Sequence, residues 1–231
     1  MTGCFHGTDT VCLMRTAYFD QLDAIIDDLV AMTHLVQRAV NRSTEALLTA
    51  DAHLADQVVA DDSRIDAIRE DIEDRCFELL ALQQPVAGDL RMLVAAVRMV
   101  ADLERMGDLS VHVAKVAQMR VPDVAVPDVM LPTVTRMAEV ATHMVGAAAS
   151  IIAERDVDAA RQLEADDEEM DELRRRSFRL MLGESWEYGV EPAIDIALLG
   201  RYYERIADHA VSCARRVVYL VTGEVPSALP Y

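Results

Sequence analysis

Glu104-Arg105-Met106-Gly107-Asp108 and Glu204-Arg205-Ile206-Ala207-Asp208 place a glutamate four residues before an aspartate, at two points exactly one hundred residues apart. On a helix, residues i and i+4 share a face with β-carbons about 6 Å apart, so each pair presents two carboxylates in one direction. Two kinds of chemistry follow. Carboxylate oxygens are ligands for hard cations, and they are equally acceptors for arginine or lysine, from the same chain or from a partner protein.

The surroundings of the pairs sharpen the question. At about 100° per residue, Leu90, Leu93, Val94, Val97, Val100, Ala101 and Val111 fall in one arc, and Glu104 and Asp108 fall inside it. In the second stretch Val190, Ala193, Ile194, Ala197 and Val211 mark the arc that holds Glu204 and Asp208. The pattern therefore predicts carboxylates directed inward among apolar residues. An unpaired ion there costs several kcal/mol, so something must compensate. Lys115, Arg201, Arg215 and Arg98 lie on or beside the stripes, and Arg201 is three residues from Glu204. A salt-bridge network within the chain is one solution. A metal site is another, because Asp62 with Asp66 and Asp167 with Asp171 are again i, i+4 pairs on the preceding helices. A cationic side chain from a partner is the third.

The elements that must position these residues are repeated as well. Asp51, Ala55, Gln57, Ala60, Asp61, Asp62 and Asp66 recur 105 residues later as Asp156, Ala160, Gln162, Ala165, Asp166, Asp167 and Asp171. Farther on the offset is 100: Val94, Val111 and Ala114 recur as Ile194, Val211 and Ala214. A contraction confined to one place is what a shortened loop produces, and the chain is read as an internal duplication. Helices are expected at about 16–50, 52–82 and 87–120, then at about 131–154, 157–183 and 190–222. Pro85 and Gly88 interrupt the first copy, Gly183 to Gly189 the second, and three prolines from Pro122 to Pro132 separate them. The expected fold is all-α: two tandem antiparallel three-helix bundles, six long helices in all. The expected organisation is a disordered leader at 1–13, repeats at 14–120 and 131–223, a linker at 121–130 and a tail at 224–231.

Composition supports helices. Apolar residues make up 52% of the 231-residue chain but aromatics only 5%, with 9 Gly and 7 Pro to break elements. The formal charge of −18 repels phosphate backbones, which argues against nucleic-acid binding. No apolar run reaches the roughly 20 residues that span a bilayer, and no basic leader precedes an apolar one, so a cytoplasmic protein without direct membrane insertion is expected. Cys76 and Cys213 fit helix cores; Cys4 and Cys12 flank His6 without a fourth ligand nearby.

Taken together, the duplicated three-helix unit resembles the PhoU family of phosphate-transport accessory proteins. The E/D-x-x-x-D hallmark is met by Glu104 to Asp108 and by Glu204 to Asp208. A further family phrase stands as Leu82-Gln83-Gln84-Pro85-Val86-Ala87-Gly88-Asp89-Leu90-Arg91, and the likeness covers Met14 to Gly223. The resemblance implies a regulator that links a phosphate ABC transporter, through its ATPase subunit, to a sensor histidine kinase and keeps the phosphate-starvation response off when phosphate is plentiful. It implies metal ions (iron, zinc, manganese or magnesium) at Glu104, Asp108, Glu204 and Asp208, with Asp62 and Asp167 contributing from the second helices. A homodimer is compatible with it.

The copies are not identical. Asp89, Arg91, Arg98 and Ala101 correspond to Gly189, Glu191, Leu198 and Arg201, and His209 stands where the first copy has Leu109. The first copy is therefore the better metal candidate, and His209 reads as structural or surface. No P-loop, dinucleotide-binding glycine motif, nucleophilic triad or H-E-x-x-H is present, and no Glu-x-x-His pair of the di-iron type. A non-catalytic protein is expected; the alternative is a bundle-type metal-storage protein or metal-dependent enzyme.

Overall fold

The computed structural model describes the backbone of residues 7–224 and the side chains of residues 17–224. Six helices make up the described chain: α1 Gly7–Thr49, α2 Ala52–Gln83, α3 Ala87–Arg120, α4 Leu131–Glu154, α5 Val157–Met181 and α6 Val190–Thr222. The ranges of α3, α4 and α6 agree with those read from periodicity. Helix α1 begins earlier than expected, at Gly7. Of the expected leader, residues 1–6 lie outside the described residues, as do the side chains of Cys4, His6 and Cys12. No strand occurs among the described residues.

The duplication extends to how helices start. Asp51 caps α2, its carboxylate accepting the Leu54 N–H at 2.9 Å. Asp156, its counterpart, caps α5 and accepts the N–H groups of Asp158 at 2.9 Å and Ala159 at 3.0 Å. The residue before each cap, Ala50 or Arg155, is left-handed, which turns the chain sharply back on itself.

Each copy forms an up-down-up bundle, and the two pack side by side through α1 against α4 and α3 against α6. A single core runs through both. Helices α2 and α5 lie outermost, which suits their sparse apolar content: α5 buries only Ala160, Leu163, Met170, Ser177 and Met181. Helices α3 and α6 run antiparallel through the centre, with Cys213 against Met99 and His112 stacked on Tyr202 at 5.3 Å. These pairs straddle Met106 and Ile206, both fully buried, so an approximate two-fold rotation relates the copies. Tyr203 is also fully buried, and its hydroxyl shares a 2.8 Å hydrogen bond with Thr44 of α1. Cys76 and Cys213 are free, buried core residues, as expected.

Ion pairs tie the copies where the core ends. Arg120 at the end of α3 donates to the Asp195 carboxylate of α6 at 2.6 and 3.1 Å, and also meets Glu191. The Asp102 carboxylate of α3 takes Arg216 at 2.5 Å and the His209 Nδ1 at 2.9 Å. His209 is thus structural, in agreement with its expected role.

Loss of either cap carboxylate exposes the same deficit. Asp51→Ala and Asp156→Ala should each cost about 1 kcal/mol, read as parallel drops in urea midpoint, while Glu168→Ala, exposed in the middle of α5, should leave the midpoint unchanged.

Candidate metal centre and its second copy

Asp62 from α2 faces Glu104 and Asp108 from α3, with Asp66 one turn along; Asp167 from α5 faces Glu204 and Asp208 from α6 with Asp171. The outer helix of each bundle therefore brings its aspartates against the signature carboxylates, as the matched i, i+4 spacing suggests. The electrostatic result is the same twice. Burial raises the Asp62 carboxyl to about 6, and the charges of Asp66, Asp108 and Glu104 push it the same way, with Lys115 opposing. Burial likewise raises Asp167 to about 6, helped by Asp208, Asp171 and Glu204 and opposed by Arg215. Glu104 and Asp208 are also shifted upward, first by desolvation and next by Asp108 and Glu204 respectively.

The orientation differs from the one the stripe implies. Helix α3 is packed on three sides by α1, α2 and α6, and the buried residues run nearly round it, from Met92 and Leu93 to Met106, Leu109 and Val113. Leu90 is 42% exposed and Val94 and Val97 are only partly covered, so the apolar arc is the edge of the core rather than its centre. Glu104, with 21% of its side chain exposed, and Asp108, with 37%, look along the α2–α3 groove instead of into the core. In α6, Val190 and Ile194 are exposed and Asp208 reaches solvent, although protein crowds its carboxyl enough to raise it. The pairs are desolvated on one side, not interred.

The two sites resolve their charge differently. Glu204 is nearly buried and held by two guanidinium groups, Arg174 of α5 at 2.8 Å and Arg201 one turn before it at 2.7 Å. The counterpart of Arg174 is Arg69, which turns instead to Glu73 at 2.8 Å and acts on Glu104 only through its charge, without an ion pair. Only Arg105 approaches the first pair, 3.0 Å from Asp108 and 3.6 Å from Glu104, and it is largely in solvent. The salt-bridge solution thus holds for Glu204, while in the first copy Asp108 and Glu104 meet only the exposed Arg105 and Asp62 has no ion pair. Spacing identified the Arg201 contact; the Arg174 contact crosses between helices, and its signal was the repetition of Arg69 as Arg174 at the 105-residue offset.

Oxygen donors in excess of local cations are the set a hard cation takes, and in this respect the first copy fits a metal ion. Among the described residues, however, no three His, Cys, Asp or Glu side chains converge on a point as ligands do. Holding an ion would require the Asp62, Glu104 and Asp108 side chains to turn toward one another.

A duplicated, antiparallel bundle carrying an acidic groove on each copy defines an all-α repeat scaffold. Residues 29–117 and 134–217 both match the PhoU domain. The chain is 44% identical over 213 residues, 92% of its length and all of the relative's, to the phosphate-specific transport system accessory protein PhoU homolog 2 of Mycobacterium tuberculosis. It is 33% identical over 209 residues to the PhoU homolog of Aquifex aeolicus, covering 90% of this chain and 94% of that one. Its fold superposes on the crystal structure of PhoU from Pseudomonas aeruginosa with a TM-score of 0.82, at 31% identity, covering 90% of this chain and all of the other. The chain belongs to the PhoU family.

Two outcomes test the electrostatics. A carboxyl raised in the folded state stabilises the fold when protonated, below the unfolded value near 4, and that stability is lost as pH rises through about 6. Asp62→Asn should therefore raise the urea midpoint at pH 7, by about 1 kcal/mol after solvent screening, and the gain should vanish near pH 4. Removing both cations from Glu204, as Arg174→Ala with Arg201→Ala, should cost about 3 kcal/mol, and Glu204→Gln should recover most of it.

Proposed function

We propose that the chain is a regulator of phosphate transport that acts by protein contact in the cytoplasm. It couples a phosphate ABC transporter, through the transporter's ATPase subunit, to a sensor histidine kinase and holds the kinase silent when phosphate is plentiful. The observation that carries this reading is the end-to-end match, at 44% identity, to a protein named as an accessory of phosphate-specific transport. The site supports it: acidic grooves repeated on opposite copies present carboxylates to basic surfaces of partners, with long-range attraction that speeds encounter.

Metal binding belongs to the same proposal. Glu104, Asp108 and Asp62 would hold a divalent or ferric ion in the first copy, and Asp208 with Asp167 are the residues left free in the second, where Glu204 is engaged by arginine. A bound cation supplies positive charge that offsets the mutual repulsion of these carboxylates and fixes α2 against α3. The chain's own part is to position the donors and to leave Glu104 without the paired arginines that hold Glu204.

Recovery by the tagged chain of a sensor kinase or a transporter ATPase, compared between phosphate-replete and phosphate-starved cells, tests the regulatory reading; recovery of neither overturns it. Chelator-treated protein titrated with Mn²⁺ or Fe³⁺ tests the metal reading. Binding should fall at least tenfold in Glu104→Ala with Asp108→Ala, and should weaken below about pH 6 as Asp62 takes up its proton. Unchanged affinity in the double variant would remove the metal from the proposal.

A further inference from the structure

On the other side of Asp62 from the carboxylate cluster lies a cavity of about 100 Å³ between α1 and α2 of the first copy. Leu35, Val58, Ile65 and Gly107 of α3 line it, with Arg38, Arg42 and Arg64 round it and the carboxylates of Asp61 and Asp62 among them. We propose that this cavity binds a phosphoryl group, with Arg38 and Arg64 as its principal ligands.

Three observations carry the assignment. The first is the state of the arginines. Arg42 is already engaged, donating to Asp61 at 2.5 Å and to Gln57 at 2.7 Å. Arg38 and Arg64, from facing helices, make no hydrogen bond or ion pair with any described residue. Guanidinium forks of this kind match the tetrahedral oxygens of phosphate in bidentate fashion.

The second observation is the internal control that the duplication provides. At the 105-residue offset, Arg38, Arg42 and Arg64 correspond to His143, Ala147 and Glu169. The matching groove of the second copy is edged by Glu139, Asp166 and Glu169, with Arg136 alone opposing them and paired to Glu139 and Glu169. The same three-helix unit therefore folds without the arginines, so packing does not call for them.

The third is the base of the cavity. A β-carbon at Gly107 would stand 3.1 Å from Ile65 Cδ1 and 3.2 Å from Asp62 Oδ1, closer than ordinary contact. The second copy carries Ala207 at this position. Gly107 lets the Ile65 and Asp62 side chains pack directly against α3 beneath the arginines, in the copy that has them. Because Asp62 lines this cavity and also faces Glu104 and Asp108, an occupant here shares a wall with the carboxylate cluster.

The choice of phosphate over other tetrahedral anions rests on the proposed function; the existence of an oxyanion site does not. The test uses the full chain, freed of metal, in equilibrium dialysis against orthophosphate and, in a separate arm, against AMP. Saturable binding is expected in at least one arm. Orthophosphate alone identifies the free ion, and preferential AMP binding identifies an organic phosphate. Arg38→Ala with Arg64→Ala should weaken binding about tenfold or more. Arg176→Ala, on the exposed side of α5, should have no effect. Circular dichroism guards against unfolding, which the exposed positions of Arg38 and Arg64 make easy to avoid. No saturation by either ligand, or wild-type affinity in the double arginine variant, overturns the site. Binding that persists when neither kinase nor ATPase is recovered from cells would separate this site from the regulatory reading.

Discussion

Helices α3 and α6 cross antiparallel at the middle of the molecule, and each needs partners round nearly its whole circumference. Met99, Leu103 and Met106 from one and Leu199, Tyr203 and Ile206 from the other are fully buried. Each of them removes a large apolar side chain from water, at about 2 kcal/mol or more apiece relative to exposure. Once that pair is set, α1 and α4 close one side, α2 and α5 take the outside, and the signature carboxylates are carried to the two outer grooves. The geometry of the acidic sites follows from the central pair.

Charge supplements the apolar contact of that pair. Arg120 meets Asp195 at the end of α3, and Asp102 takes Arg216 and His209 on the flank of the crossing, one turn from Met106 and Ile206. Asp102 and Asp195 are largely covered, so removing an arginine would strand a desolvated carboxylate. These contacts specify the register of the two copies more than they add stability, since exchange of a paired charge for an apolar residue is often neutral. They also explain why charges in α3 and α6 outside the Glu-x-x-x-Asp signature differ between the copies: Asp102 and Tyr202, Arg120 and Leu220 occupy matching positions but play unequal parts in the contact.

The same asymmetry governs the grooves. In the second copy two arginines neutralise Glu204, and in the first Arg69 turns away to Glu73. A duplication first yields two equal sites; a few substitutions then let one become a structural ion pair and leave the other with spare negative charge. The arginines around Gly107 belong to the same first copy, so both departures from symmetry fall on one bundle.

Helix number, the limits of α3, α4 and α6, the duplication and the pairing of α2 and α5 aspartates with the signature helices were legible in the sequence. Each is a short-range matter of period, caps and breakers, and those repeat where the letters repeat. The depth of the carboxylates was not. A helical wheel registers one apolar arc, but α3 is contacted by three helices at once, and the arc that holds Glu104 proves to be the margin of a wider buried surface. Nor did spacing along one helix show that Arg174 reaches Glu204 while Arg69 does not reach Glu104, because the choice between an intrahelical glutamate and one on the neighbouring helix is made by packing. The sequence by itself determined which residues would meet; only the tertiary structure decided which of them remain charged, paired or open, because burial and cross-helix distance set the energy of an ion.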